Sequence, residues 1–347
     1  MRTQRGWWNG RVTATGPSTT GPSTALQRND LDDLRRAAAE VSRVVVGQYP
    51  MVERLLVALL ARGHCLLEGV PGVAKTLAVR TFATVVGGTF ARLQFTPDLV
   101  PSDIVGTRIY RAGVETFETE LGPVFVNFVL ADEVNRAPAK VQAAMLELMA
   151  ERQVSLAGRS YPLPTPFIVI ATQNPIESEG VYPLPEAQRD RFLLKVDVPL
   201  PRAHEEAEIL RRMSVDPPTA QQVLDPARVN RLARAADEVY VHPLVADYVV
   251  RLVMATRAPG DYGVGDDVDG VLDVGASPRA TLGLVAAARA LALVRGRDHV
   301  LPDDVRELAP DVIAHRLVLG FDAVADGVTA ASVVERVVAA VRPPQPT

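Results

Sequence analysis

The sequence predicts an α/β core built on a parallel sheet, followed by a separate all-α domain. Three observations carry that expectation. Residues 66–77, LLEGVPGVAKTL, pass from apolar residues through a Gly/Pro loop into helix formers. Two further apolar runs, residues 125–133 (FVNFVLADE) and 167–172, end in polar residues, Asp132 and Glu133 in one case and Gln173 and Asn174 in the other. From Pro199 onward the apolar spacing is helical.

The loop at residues 69–76 has phosphate-cradle chemistry. Backbone N–H groups of Gly69, Val70, Pro71, Gly72, Val73 and Ala74 lead into a helix N-terminus, except that Pro71 has no N–H to give. Lys75 is spaced to pair with phosphates, the Thr76 hydroxyl to reach Mg²⁺, and Leu77 continues the helix. The strict pattern has glycine where this chain has Ala74, so its methyl is expected to be tolerated on an ordinary helical backbone. A solvated lysine in a simple turn is the competing reading.

Composition narrows the function classes. The 347 residues are 48% hydrophobic, enough for a large core and two domains. Lys and Arg number 37 against 41 Asp and Glu, a net charge of −4 without global basic character, so no specific nucleic-acid partner is expected. The single cysteine, Cys65, lies in an apolar strand and cannot form an intrachain disulfide, which fits a core residue in a reducing compartment. No apolar run reaches the ~18–20 residues needed to span a bilayer, so a cytoplasmic protein is expected. The five histidines have no metal-ligand spacing.

Taken in order, residues 1–25 are Gly/Pro/Ser/Thr-rich without periodicity and are expected to form a disordered tail that lacks a signal peptide's apolar centre. Helical patterns at 30–40 and 50–61 flank a break at Val44–Gln48, where Val46 and Gly47 are candidates to meet a nucleotide base. The loop helix is expected over 75–86, ended by Gly87-Gly88, and a strand over 89–95. Residues 96–123 hold three prolines and a hairpin pair, 107–110 and 114–118, and are long for a connection inside an α/β unit. Tyr110 and Phe117 alternate there with acids as well as arginines, which predicts no aromatic and basic stacking platform.

The acids that end the second strand have distinct expected roles. In a parallel sheet ligands bind at the carboxyl ends of strands, so Asp132 is placed to orient Mg²⁺ and Glu133 to polarise an attacking water. Asn135 is expected to cap the following helix, whose buried stripe is Val141, Met145, Leu148 and Met149. A small hairpin at 152–164 turns at Gly158, and Asn174 then arrives at the same sheet edge as Asp132. The run 183–192, PLPEAQRDRF, carries Arg189 and Arg191, either a local ion-pair patch or a forked charge aimed at phosphate in a neighbouring subunit. Helices follow at about 202–214, 226–240, 243–256, 278–295 and 302–316, with a Gly/Asp-rich loop at 260–275. Ser277-Pro278-Arg279 opens the fourth, and a cation in a first turn points to an anion nearby.

The segments GVPGVAKT, LADEVNRAP, ATQNP and YPLPEAQRDRF, in this order and spacing, resemble the MoxR family of AAA+ ATPases over residues 30–320. That resemblance implies a core at 26–200 with a five-stranded parallel sheet, an insert in helix 2 at 96–123 and a hairpin before sensor 1 at 152–164, then a helical lid at 201–347. It implies that Lys75 and Thr76 are the Walker A pair and Asp132 and Glu133 the Walker B pair. Asn174 is the sensor-1 residue, Arg279 sensor 2, and Arg191 a finger acting in trans, with Arg189 in reserve. ATP and Mg²⁺ are the implied cofactors and a homo-oligomeric ring, a hexamer, the implied assembly. The implied work is chaperone-like maturation of protein clients, including von Willebrand factor A domain proteins. A chelatase-type ATPase subunit shares these inserts. A nucleic-acid motor and an ATP-gated binding switch are further alternatives.

Overall fold

A computed structural model describes residues 24–113, 115–175, 181–265 and 270–345. Most of the expectation for residues 1–25 lies outside them, but its last two residues already belong to the first helix. The chain runs α1 (Thr24–Val44), α2 (Tyr49–Leu60), β1 (Cys65–Glu68), α3 (Lys75–Val86), β2 (Phe90–Gln94), α4 (Pro101–Val105), β3 (Gly106–Arg111) and β4 (Thr116–Leu121). It continues with β5 (Phe128–Asp132), α5 (Ala139–Glu151), β6 (Gln153–Leu156), β7 (Arg159–Pro162), β8 (Ile168–Gln173), α6 (Glu186–Arg189) and β9 (Leu194–Asp197). The helical region comprises α7 (Ala203–Met213), α8 (Pro226–Glu238), α9 (Pro243–Ala255), β10 (Leu272–Val274), α10 (Pro278–Val294), α11 (Pro302–Ile313), β11 (Val318–Leu319), α12 (Phe321–Ala325) and α13 (Ala330–Ala340).

The main sheet has five strands in the order β2-β5-β8-β1-β9, all parallel. Both faces are covered, which is why its strands read as continuous apolar runs rather than alternating ones. Leu67, Phe128, Leu130, Ile168 and Ile170 face α1, α2 and α3, whereas Leu66, Val129, Ala131, Val169 and Ala171 face the cluster containing Val141, Met145 and Phe192. Register brings Gln94 beside Asp132 and Glu68 beside Gln173, so the polar ends of four strands share one edge.

Helix α2 explains how the two regions hold together. Its residues Met51 to Leu60 are all buried, because α8 and α10 pack on the side that β9 leaves open. One apolar cluster therefore continues from the sheet into the helical region. Arg54 of α2 adds ion pairs to Glu307 at 3.1 Å and Asp311 at 2.6 Å on α11.

Three expectations need correction. Asn135 does not cap α5: it sits in a 3₁₀ turn, Val134–Arg136, and the cap position is Pro138. Ala137, preceding that proline, is held extended at φ −85°, ψ 151°, so the helix cannot start earlier. The region after Pro199 is not purely helical, since β10 and β11 pair antiparallel. Helix α13, with Val333, Val334 and Val337 buried and Thr329 capping Ser332, extends the region beyond the last helix expected.

Candidate active site

The loop between β1 and α3 is shaped by close backbone approach. A Cβ on Gly69 would lie 2.6 Å from the Val198 carbonyl oxygen, and Gly72 has φ +87°. Ala74 overturns the expectation of an ordinary helical backbone: it has φ +61° and ψ 22°, left-handed, as the residue before α3. The glycine of the strict pattern serves that conformation. Here the smallest side chain that has a Cβ carries it, at about 1–2 kcal/mol.

Lys75 donates to the carbonyls of Gly69 and, at 3.0 Å, Val70. Burial lowers its pKa from the ordinary lysine value, against the opposing pull of Asp132, Glu133 and Glu68. Thr76 Oγ1 donates to Asp132 Oδ2 at 3.3 Å. Lys75, Thr76, Asp132, Glu133 and Asn174 thus line one cavity of about 290 Å³ at the carboxyl edge of the sheet.

Three further residues of this site escaped the sequence reading. Thr172 Oγ1 donates to Asp132 Oδ1 at 2.5 Å and accepts the Glu133 backbone N–H at 2.9 Å, so one hydroxyl orients both acids. Arg92, on β2, pairs with Asp132 through Nε at 2.9 Å and Nη2 at 2.7 Å. Gln94 accepts from Arg92 at 2.8 Å and donates to Glu133 Oε2 at 2.8 Å, which also receives Arg136 at 3.1 Å. Their signal lay in pairing: a strand at 89–95 set against β5 brings residues 92 and 94 onto its acidic end.

Residues 64–194 match the model of the ATPase family associated with various cellular activities (AAA), and residues 267–337 match an AAA lid domain. Chaperone MoxR1 of Mycobacterium tuberculosis is 61% identical over 91% of this chain and 84% of its own length. Protein MoxR of Methylorubrum extorquens is 35% identical over 87% and 92%. A solved structure of a putative ATPase from Cytophaga hutchinsonii superimposes with a TM-score of 0.86 at 43% identity, covering 91% of this chain and 96% of that one. The chain belongs to the MoxR family of AAA+ ATPases.

The remaining candidates of this MoxR-family ATPase lie away from the small cavity. Val46 is half-buried, and Gly47, at φ +76°, lies against Glu205, whose carboxyl carbon would be 2.6 Å from an added Cβ. Arg191 turns away from the loop and donates to the Leu146 carbonyl at 2.6 Å. Arg189 lines a larger cavity, about 990 Å³, between the ends of β1 and β9 and the helical region. Arg279 does find an anion, but it is Asp190, 3.7 Å away and itself hydrogen-bonded by Ser277 at 3.0 Å. Arg279 is half-exposed and does not reach the loop in this arrangement.

The insert hairpin also departs from expectation. Its register sets Tyr110 opposite Phe117, ring centroids 5.0 Å apart, with the Arg108 guanidinium 4.7 Å over the Phe117 ring. Glu118 and Glu120 alternate onto the other face, where Glu118 pairs with Arg111 at 2.7 Å. An aromatic and basic platform therefore exists, because the two-residue period of each strand separates the aromatics from the acids. Among the described residues no helix is long and apolar enough to cross a membrane.

Proposed function

We propose that this ATPase hydrolyses ATP with Mg²⁺ at the junctions of a homo-oligomeric ring, a hexamer in the cytoplasm, and uses the cycle to remodel or mature a protein client. The observation that carries this reading is the convergence of Lys75, Thr76, Asp132, Glu133 and Asn174 on one cavity. Lys75 leaves the loop carbonyls for the β/γ-phosphates, Glu133 takes up the attacking water's proton, and Asn174 orients that water. Mg²⁺ prefers oxygen donors, and the Thr76 hydroxyl with the Asp132 carboxylate, 3.3 Å apart, fits it. A bound ion would supply charge to the phosphate oxygens. Arg191, occupied outside its own site, suits a finger for the neighbouring subunit, with Arg189 in reserve. Arg279 takes the sensor-2 role once it leaves Asp190.

Helix 2's insert is the client-facing element in this reading, with a von Willebrand factor A domain protein as the first candidate. The platform of Tyr110, Phe117 and Arg108 favours a second reading, a nucleic-acid motor, because aromatics with arginine stack on unpaired bases. ATPase rates with single-stranded DNA, duplex DNA, RNA and a candidate client, at physiological salt, separate the two. Stimulation by nucleic acid that is lost in Phe117→Ala supports the motor. Stimulation by the protein alone supports the chaperone reading.

A further inference from the structure

Asp132 is buried, yet its carboxylate is fully subscribed: Thr172 holds Oδ1, while Thr76 and Arg92 converge on Oδ2. A buried carboxylate without a cation is strongly destabilising, and Lys75 directs its ammonium to the Gly69 and Val70 carbonyls instead. The direct ion pair comes from Arg92, whose Nε and Nη2 both address Oδ2, the oxygen that Thr76 also contacts. Thr76 and that oxygen are the pair assigned above to Mg²⁺, so this inference rests on that assignment. Arg92 and a divalent cation cannot hold the same lone pairs together.

We propose that Arg92 is the metal's placeholder: its guanidinium neutralises Asp132 in the nucleotide-free protein, and Asp132 exchanges it for the divalent ion only when phosphate oxygens complete the coordination. Arg92 is therefore a positioning residue that makes metal entry conditional on nucleotide. Its side chain is half-exposed, so it can leave without opening the core. The exchange also carries to the general base, since Arg92 holds Gln94 at 2.8 Å and Gln94 holds Glu133 at 2.8 Å. Departure of Arg92 from Asp132 frees that second contact to rearrange as well.

The test needs no turnover. Mn²⁺ alone, titrated into nucleotide-free protein and followed by electron paramagnetic resonance, should bind weakly to wild type and about tenfold or more tightly to Arg92→Met, in which Asp132 has lost its competitor. Arg92→Lys should fall between, and Asp132→Asn should abolish the gain when combined with Arg92→Met. Arg92→Gln is included as a second uncharged replacement, and circular dichroism establishes which of the three Arg92 variants are folded before their Mn²⁺ affinities are compared. Unchanged Mn²⁺ affinity in folded Arg92→Met and Arg92→Gln would overturn the proposal and leave Arg92 a structural partner of Asp132. A gain that persists with Asp132→Asn would overturn it too. Loss of fluorescent-ATP binding by the same factor with and without Mg²⁺, Mn²⁺ affinity unchanged, would reassign Arg92 as a phosphate ligand. Fluorescent-ATP binding by wild type that survives Lys75→Ala would count against the ATP site itself and not against the placeholder.

Discussion

Arg316 of the helical region donates to Asp190 Oδ1 at 2.9 Å and to the Phe192 carbonyl at 2.6 Å while only 3% of its side chain is exposed. Burial lowers its pKa to about 10, with Asp190 working the other way. Asp190 lies between Arg189 and Arg191 and also receives Ser277 and Arg279, so one carboxylate joins the segment 189–191 to the start of α10. Asp190→Asn keeps the shape but strands the buried guanidinium, and the expected loss is about 3–5 kcal/mol in urea unfolding. A loss below about 1 kcal/mol would mean that the carbonyl contacts alone hold Arg316.

Ala74 provides a second, opposite case. Glycine adopts φ +61° without a Cβ penalty, although it gives the unfolded chain more freedom. Ala74→Gly should therefore raise stability by up to about 1 kcal/mol and retain nucleotide binding. Ala74→Val, β-branched in a left-handed position, should lower the melting temperature and weaken ATP binding. A stabilising Ala74→Val would refute the left-handed assignment.

Acid should act on the core through buried histidine. His64 accepts the Val169 N–H at Nδ1 and shares Nε2 with the Met149 carbonyl, and burial first, then the Arg152 charge, lowers its pKa to about 4, the Met149 bond opposing. His64 is neutral in the fold and takes up a proton near 6.5 when unfolded. Its contribution is present above pH 6.5 and is lost as pH falls toward 4, an upper figure of roughly 3 kcal/mol. His315 is lowered by burial too and adds in the same direction. His64→Gln should flatten the stability profile between pH 6.5 and 4 in denaturant titrations. An unaltered slope would assign the acid sensitivity elsewhere.

Much of this was legible in the chain because the signals were local. The loop helix ends at Val86 since Gly87 takes φ +77° and closes onto Ala83 and Thr84, a pattern visible in Gly87-Gly88. Lys75, Asp132 and Asn174 each end or follow a strand, and parallel pairing alone brings them to one edge. What escaped the reading depends on partners distant in sequence. Arg92 and Thr172 matter because of strand register, Arg279 because Asp190 lies across the junction between regions, and the hairpin's platform because Tyr110 faces Phe117 rather than its own neighbours. At Ala74 the surrounding loop overrides the residue's own steric preference for a right-handed backbone, and nothing local in the chain signals that.

Binding and chemistry should separate in two variants. If Lys75 pairs with the β/γ-phosphates as proposed, Lys75→Ala should abolish tight ATP binding, measured with a fluorescent analogue. Glu133→Gln keeps the Gln94 and Thr172 framework around it and should bind ATP but release little phosphate. Phosphate release by Glu133→Gln equal to wild type would remove Glu133 from the base role.

The ring assignment makes the most demanding prediction. Arg191 spends its guanidinium on Leu146, on the α5 side of the sheet, and contributes nothing to the cavity beside Lys75 in its own subunit. If it serves the next subunit, Arg191→Ala should keep ATP affinity while losing turnover, by about 10³–10⁵-fold for a finger of full effect. Arg191→Ala and Glu133→Gln subunits, each nearly inactive alone, should then recover phosphate release on mixing, because some junctions pair an intact Glu133 with an intact Arg191. Subunit exchange is verified by energy transfer between labelled chains, and the same mixture with Arg189→Ala identifies which arginine acts. With exchange demonstrated, a mixture no more active than its separate components would refute action in trans and leave Arg191 as a brace for α5.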